Sequence, residues 1–144
     1  MQSTGQTIFA TAIYCYINLE TKQLIYAQAG ARHGVYLPSA CQRGASTFND
    51  DSIHPALGLI PETRYTDEVL NLDKGDTVVL YTDGIVEAAR DEEEYSEARM
   101  VQFLMQQRQS GLSDMLQRLL VSVGDFTQCK ELEDDVCLVA LRVV

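Results

Sequence analysis

Thr77-Val78-Val79-Leu80-Tyr81-Thr82-Asp83-Gly84 is the stretch that decides how this 144-residue chain is read. Its first five residues are β-branched, apolar or aromatic, without polar alternation. Lys74-Gly75-Asp76 ahead of them is a turn signal, so they predict a short buried strand. Asp83 then falls where the strand leaves the core. Packing fixes the backbone behind it, which makes a strand end a firm mount for a carboxylate. Downstream, Glu133-Asp134-Asp135 precedes a second apolar run, Val136-Cys137-Leu138-Val139-Ala140-Leu141. If the two strands are neighbours, Asp83 and Asp134 or Asp135 converge at one end of a sheet, and such a group of carboxylates suits a hard cation, Mg²⁺ or Mn²⁺. The same residues have a plainer explanation: Asp-Gly after a strand is ordinary turn chemistry, and Asp-Asp before one is at home in a solvated loop. The residues alone leave both open.

Around this stretch, composition narrows the class. The length suits one domain with a core of its own. An apolar fraction of 46% places the chain among globular proteins rather than disordered ones. No apolar run approaches the roughly 20 residues that span a bilayer, and the first residues lack the basic and apolar regions of a signal peptide. A net charge of −10 argues against binding to nucleic acid or to an anionic membrane. It leaves room for a phosphorylated partner, because a bound divalent cation reverses the local field. The cysteines, Cys15, Cys41, Cys129 and Cys137, show no paired spacing and are read as reduced thiols of a cytoplasmic protein, Cys15 and Cys137 packing inside strands.

Working along the chain, residues 8–19 predict a strand that is apolar on both faces and therefore central. Glu20-Thr21-Lys22 turns it back into a second strand over 24–29. A short strand follows at 35–37. Residues 38–61 lose all periodicity and read as a long functional or mobile loop. Within or beside it, His54 is a candidate acid or ligand that is more simply a solvent-exposed histidine. Arg32, Arg43 and Arg64 are candidate phosphate contacts that are more simply surface residues. Residues 65–72 predict a strand forming a hairpin with the strand at 77–81. The acidic run Asp91-Glu92-Glu93-Glu94 reads as a solvated loop. Two amphipathic helices follow, one carrying Val101, Leu104, Met105 and Arg108, the other Leu112, Met115, Leu116, Leu119, Leu120 and Val123. Ser110-Gly111 separates them, Ser113 is the expected N-cap and Asp114 suits the first turn. A last strand runs to the end. Strands segregated from a helical pair give an α+β class. Dinucleotide and P-loop glycine patterns are absent, and with two histidines and no Gly-x-Ser-x-Gly elbow, Ser/His/Asp hydrolysis is disfavoured.

Six segments in order carry a resemblance: Phe9-Ala10-Thr11-Ala12, Tyr26-Ala27-Gln28-Ala29-Gly30, Ala56-Leu57-Gly58-Leu59, Leu72-Asp73-Lys74-Gly75-Asp76, Leu80-Tyr81-Thr82-Asp83-Gly84-Ile85-Val86-Glu87-Ala88 and Asp134-Asp135-Val136. Together they resemble the metal-dependent protein phosphatases of the PP2C (PPM) superfamily, in its SpoIIE/RsbU-like bacterial branch. The resemblance implies a PP2C-like antiparallel β-sandwich flanked by helices. It implies hydrolysis of phosphoserine or phosphothreonine on a phosphorylated regulatory protein, such as an anti-sigma-factor antagonist, by water bridging two Mn²⁺ or Mg²⁺ ions. Asp83 and Asp134 would be metal ligands, with Asp135 a lesser candidate. Sensory or receiver domains commonly stand upstream. The family's other metal-binding acids belong to an N-terminal section that nothing before Ile8 supplies, so residues 1–144 correspond to one partial domain, about the C-terminal 60% of an ordinary one. Two positions depart from the pattern: this chain has Ala29-Gly30-Ala31, with His33 two places later, where relatives usually carry Ala-Gly-His, and Cys137 where they usually carry Thr or Ser after Asp-Asp-Val/Ile. A sheet lacking its front would expose strand edges, so self-association of the fragment is expected. The missing acids also motivate an alternative, a phosphatase-derived interaction module without catalysis.

Overall fold

The computed structural model describes residues 8–30, 34–40, 43–48, 54–128, 132 and 134–144. Arg32, His33, Cys41, Cys129, Glu133 and part of the 38–61 segment, among the features singled out above, lie outside the described residues. In chain order the strands are β1 (Ala12–Asn18), β2 (Gln23–Ala29), β3 (Gly34–Leu37), β4 (Ser46–Thr47), β5 (Glu68–Asn71), β6 (Thr77–Tyr81), β7 (Ala89–Arg90), β8 (Glu93–Glu94) and β9 (Leu138–Arg142). The helices are a 3₁₀ turn, Asp83–Ile85, then α1 (Glu97–Gln107) and α2 (Leu112–Thr127). Antiparallel sheets with two helices bear out the α+β class. The chain divides into two compact units, residues 1–32 with 49–72 and residues 33–48 with 73–144.

The first unit holds an antiparallel sheet in the order β1-β2-β5. The expected hairpin forms at Glu20-Thr21-Lys22. The Asn18 carboxamide oxygen accepts from the Glu20 and Thr21 amides at 3.0 and 3.1 Å, and Lys22 takes a positive φ of 53°. One expectation fails here. Among the described residues β1 is an edge strand, and its Tyr14 and Tyr16 side chains are 64% and 51% exposed. Two tyrosines mimicked a second buried face, but a phenol has a polar tip and does not need burial. Nor do β5 and β6 form a hairpin: β5 pairs with β2, whereas β6 joins the other sheet.

The second unit is built on the order β4-β3-β6-β9, antiparallel throughout. β4 is a short strand inside the segment read as irregular. Register places Val35 opposite Val79 and Val79 opposite Ala140, with Tyr81 opposite Leu138. This face carries the core. Val35, Leu37, Val79, Tyr81 and Ile85 pack with Met100 and Leu104 of α1 and with Met115, Leu119 and Val123 of α2. The helical stripes read from sequence therefore bury the face they were expected to bury, although Leu120 remains exposed. Ser110-Gly111 does break the helices, but the N-cap of α2 is Gly111, with Ser113 exposed inside the first turn. The helix begins two residues early because Leu112 belongs to the apolar stripe and is drawn down with it. The Arg142 guanidinium donates to Thr77 Oγ1 and to the carbonyls of Ser110 and Arg108 at 2.8–2.9 Å, tying the end of α1 to the sheet.

The turn before β6 is locked by Asp76, a buried acid. Its carboxylate accepts from the Tyr36 hydroxyl at 2.5 Å, from the Ser39 amide at 2.8 Å and from the Asp73 amide at 2.8 Å. These bonds fasten the start of β6 to β3, which explains why the turn leads into this sheet instead of closing a hairpin with β5. Among the described residues, no helix is long and apolar enough to cross a membrane.

Candidate metal centre

The end of β6 is where the two segments that carry the candidate acids meet. After Tyr81 the chain leaves the ladder through Thr82, still extended at φ −95°, ψ 158°, and turns into the 3₁₀ helix. Ile85 is completely buried in the core and pins that turn. The Val86 and Glu87 amides both donate to the Asp83 carbonyl at 2.9 Å, so the Asp83 backbone is held firmly. Its side chain is half-buried and makes no hydrogen bond or ion pair among the described residues.

Opposite lies the segment leading into β9, and β9 pairs with β6 as the convergence requires. The two segments touch. A Cβ built on Gly84 would lie 2.7 Å from the Asp135 carbonyl oxygen and 3.3 Å from the carbonyl carbon and oxygen of Asp134. Only glycine leaves room for the Asp134–Asp135 peptide at this distance. The Gly84 of the Asp-Gly pair is therefore required by close packing against a distant segment; its φ is not in the left-handed region. Thr82 adds side-chain bonds to the same segment. Its Oγ1 donates to the Asp135 carbonyl at 2.9 Å and accepts from the Cys137 amide at 2.8 Å. Sequence reasoning missed both roles, because neither can be read without the β6–β9 register.

Asp134 and Asp135 are exposed, and Asp134 Oδ1 accepts from the Asp135 amide at 2.8 Å. Among the described residues, none of Asp83, Asp134 and Asp135 is paired with Lys or Arg. The donors on offer are carboxylate oxygens without a neutralising cation, which suits Mg²⁺ or Mn²⁺; Mg²⁺ in particular is commonly held by one or two carboxylates and several waters. Yet among the described residues no group of three or more His, Cys, Asp or Glu side chains is gathered closely enough to hold an ion. The residues fit part of a metal site: two acid-bearing segments are brought together, and among the described residues no third such side chain joins them.

The other candidates fall away from this point. The acidic run forms the β7–β8 hairpin with Asp91 at a φ of 57°. Its Glu93 is engaged by Arg99 at 2.7 Å, and the Arg99 guanidinium stacks 4.4 Å above the Phe126 ring. His54 is half-buried beside Tyr65 and bonds to Thr66 Oγ1 at 2.9 Å in the first unit. Arg43 forms an exposed pair with Asp73 at 3.3 Å, and Arg64 is exposed. Cys15 and Cys137 are free thiols, and burial pushes the Cys15 thiol up. Cys137 is exposed just before β9 rather than packed within it.

Comparison with known proteins places the geometry in context. The family described as Stage II sporulation protein E (SpoIIE) matches residues 1–144. Phosphoserine phosphatase RsbU of Bacillus subtilis (strain 168) is 28% identical over 145 residues, covering 98% of this chain and 41% of RsbU. The chain thus spans less than half of that relative. Among solved structures, the SiaA-PP2C domain of Pseudomonas aeruginosa is similar at a TM-score of 0.77 and 18% identity, over 93% of this chain and 52% of that one. The phosphatase domain of SpoIIE from Bacillus subtilis, presoaked with Mn, is similar at a TM-score of 0.72 and 17% identity, over 92% of this chain and 56% of that one. At these identities the structures establish the PP2C-like fold.

Proposed function

The chain belongs to the SpoIIE family, and from that premise we propose that it is the C-terminal part of a metal-dependent phosphatase acting on phosphoserine or phosphothreonine of a bacterial regulatory protein. The observation that carries this reading is the contact of Gly84 with the Asp134–Asp135 peptide, which brings two acid-bearing segments to one end of the second sheet. Asp83 and Asp134 offer their carboxylates to Mn²⁺ or Mg²⁺. Asp135, beside Asp134, is a lesser candidate. When bound, a pair of such ions lowers the pKa of the attacking water and neutralises the phosphoryl oxygens. The chain's own contribution is a firm mount: the Ile85 plug and the two amides on the Asp83 carbonyl fix where that carboxylate starts.

RsbU carries the name phosphoserine phosphatase, which supports a phosphoserine protein as substrate, and an anti-sigma-factor antagonist is the finer assignment. The same reading treats residues 1–144 as one partial domain of a cytoplasmic protein with a sensory or receiver domain upstream. Among the described residues no strand pairs with the outer edge of β1, which supports self-association. A second reading, an interaction module without chemistry, is favoured by the missing third donor among the described residues.

The two readings separate in one experiment. The full-length protein is given a phosphoserine protein with Mn²⁺, with Mg²⁺ and with EDTA. The enzyme reading expects phosphate release only with metal, and a fall of at least about 100-fold in Asp83→Asn, beyond what loss of a supporting partner costs. No release under any metal condition, with the phosphoprotein still bound, establishes the interaction module instead.

A further inference from the structure

We propose that Thr82 is a positioning residue for the cation-binding carboxylates, its hydroxyl holding the Asp134–Asp135 segment in register with Asp83; this rests on the metal-dependent reading above. The argument comes from how the β6–β9 ladder ends. The last regular pair is Tyr81 with Leu138. One step further, the Thr82 amide still donates to the Cys137 carbonyl at 3.1 Å. A regular antiparallel pair would return a bond from the Cys137 amide to the Thr82 carbonyl. That bond is not made: the chain has turned into the 3₁₀ helix, and the Thr82 carbonyl accepts from the Ile85 amide at 3.3 Å.

The Thr82 hydroxyl supplies the missing acceptor, receiving the Cys137 amide at 2.8 Å. The same oxygen donates its proton to the Asp135 carbonyl at 2.9 Å. One hydroxyl can do both at once. It thus extends the ladder past the point where backbone pairing fails and pins the residues on either side of Val136. Asp83 is its immediate neighbour in sequence, and Gly84 provides the space into which the pinned segment fits. Thr82 acts through the segment its hydroxyl holds.

The test uses Thr82→Val, which keeps the branched shape and removes both bonds, and Thr82→Ser, which keeps the hydroxyl. In the metal-free full-length protein, Thr82→Val is expected to speed hydrogen exchange of the Cys137 amide. Calorimetric Mn²⁺ titration of the same samples is expected to show affinity weakened about 10-fold or more, the scale of a lost supporting partner, with Thr82→Ser restoring both readings. A merely structural threonine would lower the melting temperature and leave Mn²⁺ affinity alone. If Thr82→Val does not fold, Thr82→Ala carries the same comparison. Wild-type binding with unchanged affinity in the hydroxyl-free variant, or failure of serine to restore it, overturns the role of Thr82 alone. A wild-type protein that binds no Mn²⁺ overturns the functional reading together with it.

Discussion

Replacing Gly84 with alanine puts a carbon where the structure has none to spare. Ordinary contact begins near 3.4 Å, and the new Cβ would stand 2.7 Å from the Asp135 carbonyl oxygen, so that carbonyl must retreat by about 0.7 Å on the steep side of the contact potential. The obstacle is backbone, pinned by Thr82 and continuous with β9, and it cannot swing away as a flexible side chain would. Overpacking of this kind costs about 1–3 kcal/mol. Alanine returns about 0.4–1 kcal/mol by restricting the unfolded chain, since Gly84 does not sit at positive φ. The net loss is about 1–2 kcal/mol, a drop of about 3–8 °C in melting temperature for a domain of this size. Gly44→Ala is the matched control, because nothing lies within 4 Å of its added Cβ; it should be neutral or slightly stabilising. Thermal melts of the two variants, each with a Mn²⁺ titration, make the comparison. The expected result is a lower melting temperature and weaker Mn²⁺ binding for Gly84→Ala alone. If both variants melt and bind as the wild type does, the close approach of the two acid-bearing segments is wrong.

Two further substitutions test the frame behind the site. Tyr36→Phe removes a hydrogen bond to a buried carboxylate and should cost about 1.5–3 kcal/mol in urea unfolding, leaving Asp76 with two amide donors. The pH dependence should change with it. Burial and then the Asp76 hydrogen bond push the Tyr36 phenol up from 10 to about 12, so its stabilising contribution is complete below pH 10 and is lost as pH rises toward 12. That alkaline loss should vanish in Tyr36→Phe. Asp76 behaves oppositely. Burial pushes its carboxyl up, but the Tyr36 hydroxyl and the Ser39 and Asp73 amides outweigh that and hold it below the usual range. Its contribution is present at neutral pH and lost as pH falls through the acid range, a loss Asp76→Asn should abolish. Arg142→Lys keeps the charge but cannot reproduce a fork that reaches Thr77, Ser110 and Arg108 together. A loss of about 2–4 kcal/mol is expected, and a melt indistinguishable from wild type would show that the fork does not anchor α1.

Much of this architecture was legible in the residues because hydrophobic period and turn chemistry are local. The unbroken run at 77–81, the hairpin at Glu20-Thr21-Lys22 and the helical stripes through Leu104 and Leu119 each carry their own signal. What failed was non-local. Tyr14 and Tyr16 looked like a second buried face because periodicity records apolar character but not which strand lies alongside. β5 and β6 looked like a hairpin because only three-dimensional contact reveals Asp76 reaching back to Tyr36. The candidate acids could be picked out from their place at the ends of apolar runs, yet the residues that bring them together could not. Thr82 and Gly84 act on residues fifty or more positions away, through a hydroxyl filling a broken ladder and a side chain that is not there.

The central claim is that Asp83 and Asp134 share a cation, and a Mn²⁺ titration of the full-length protein by calorimetry tests it most directly, run on wild type, Asp83→Asn and Asp134→Asn. The account predicts saturable binding in the wild type and about 10-fold or greater weakening in each variant. Equal binding in all three proteins would contradict it.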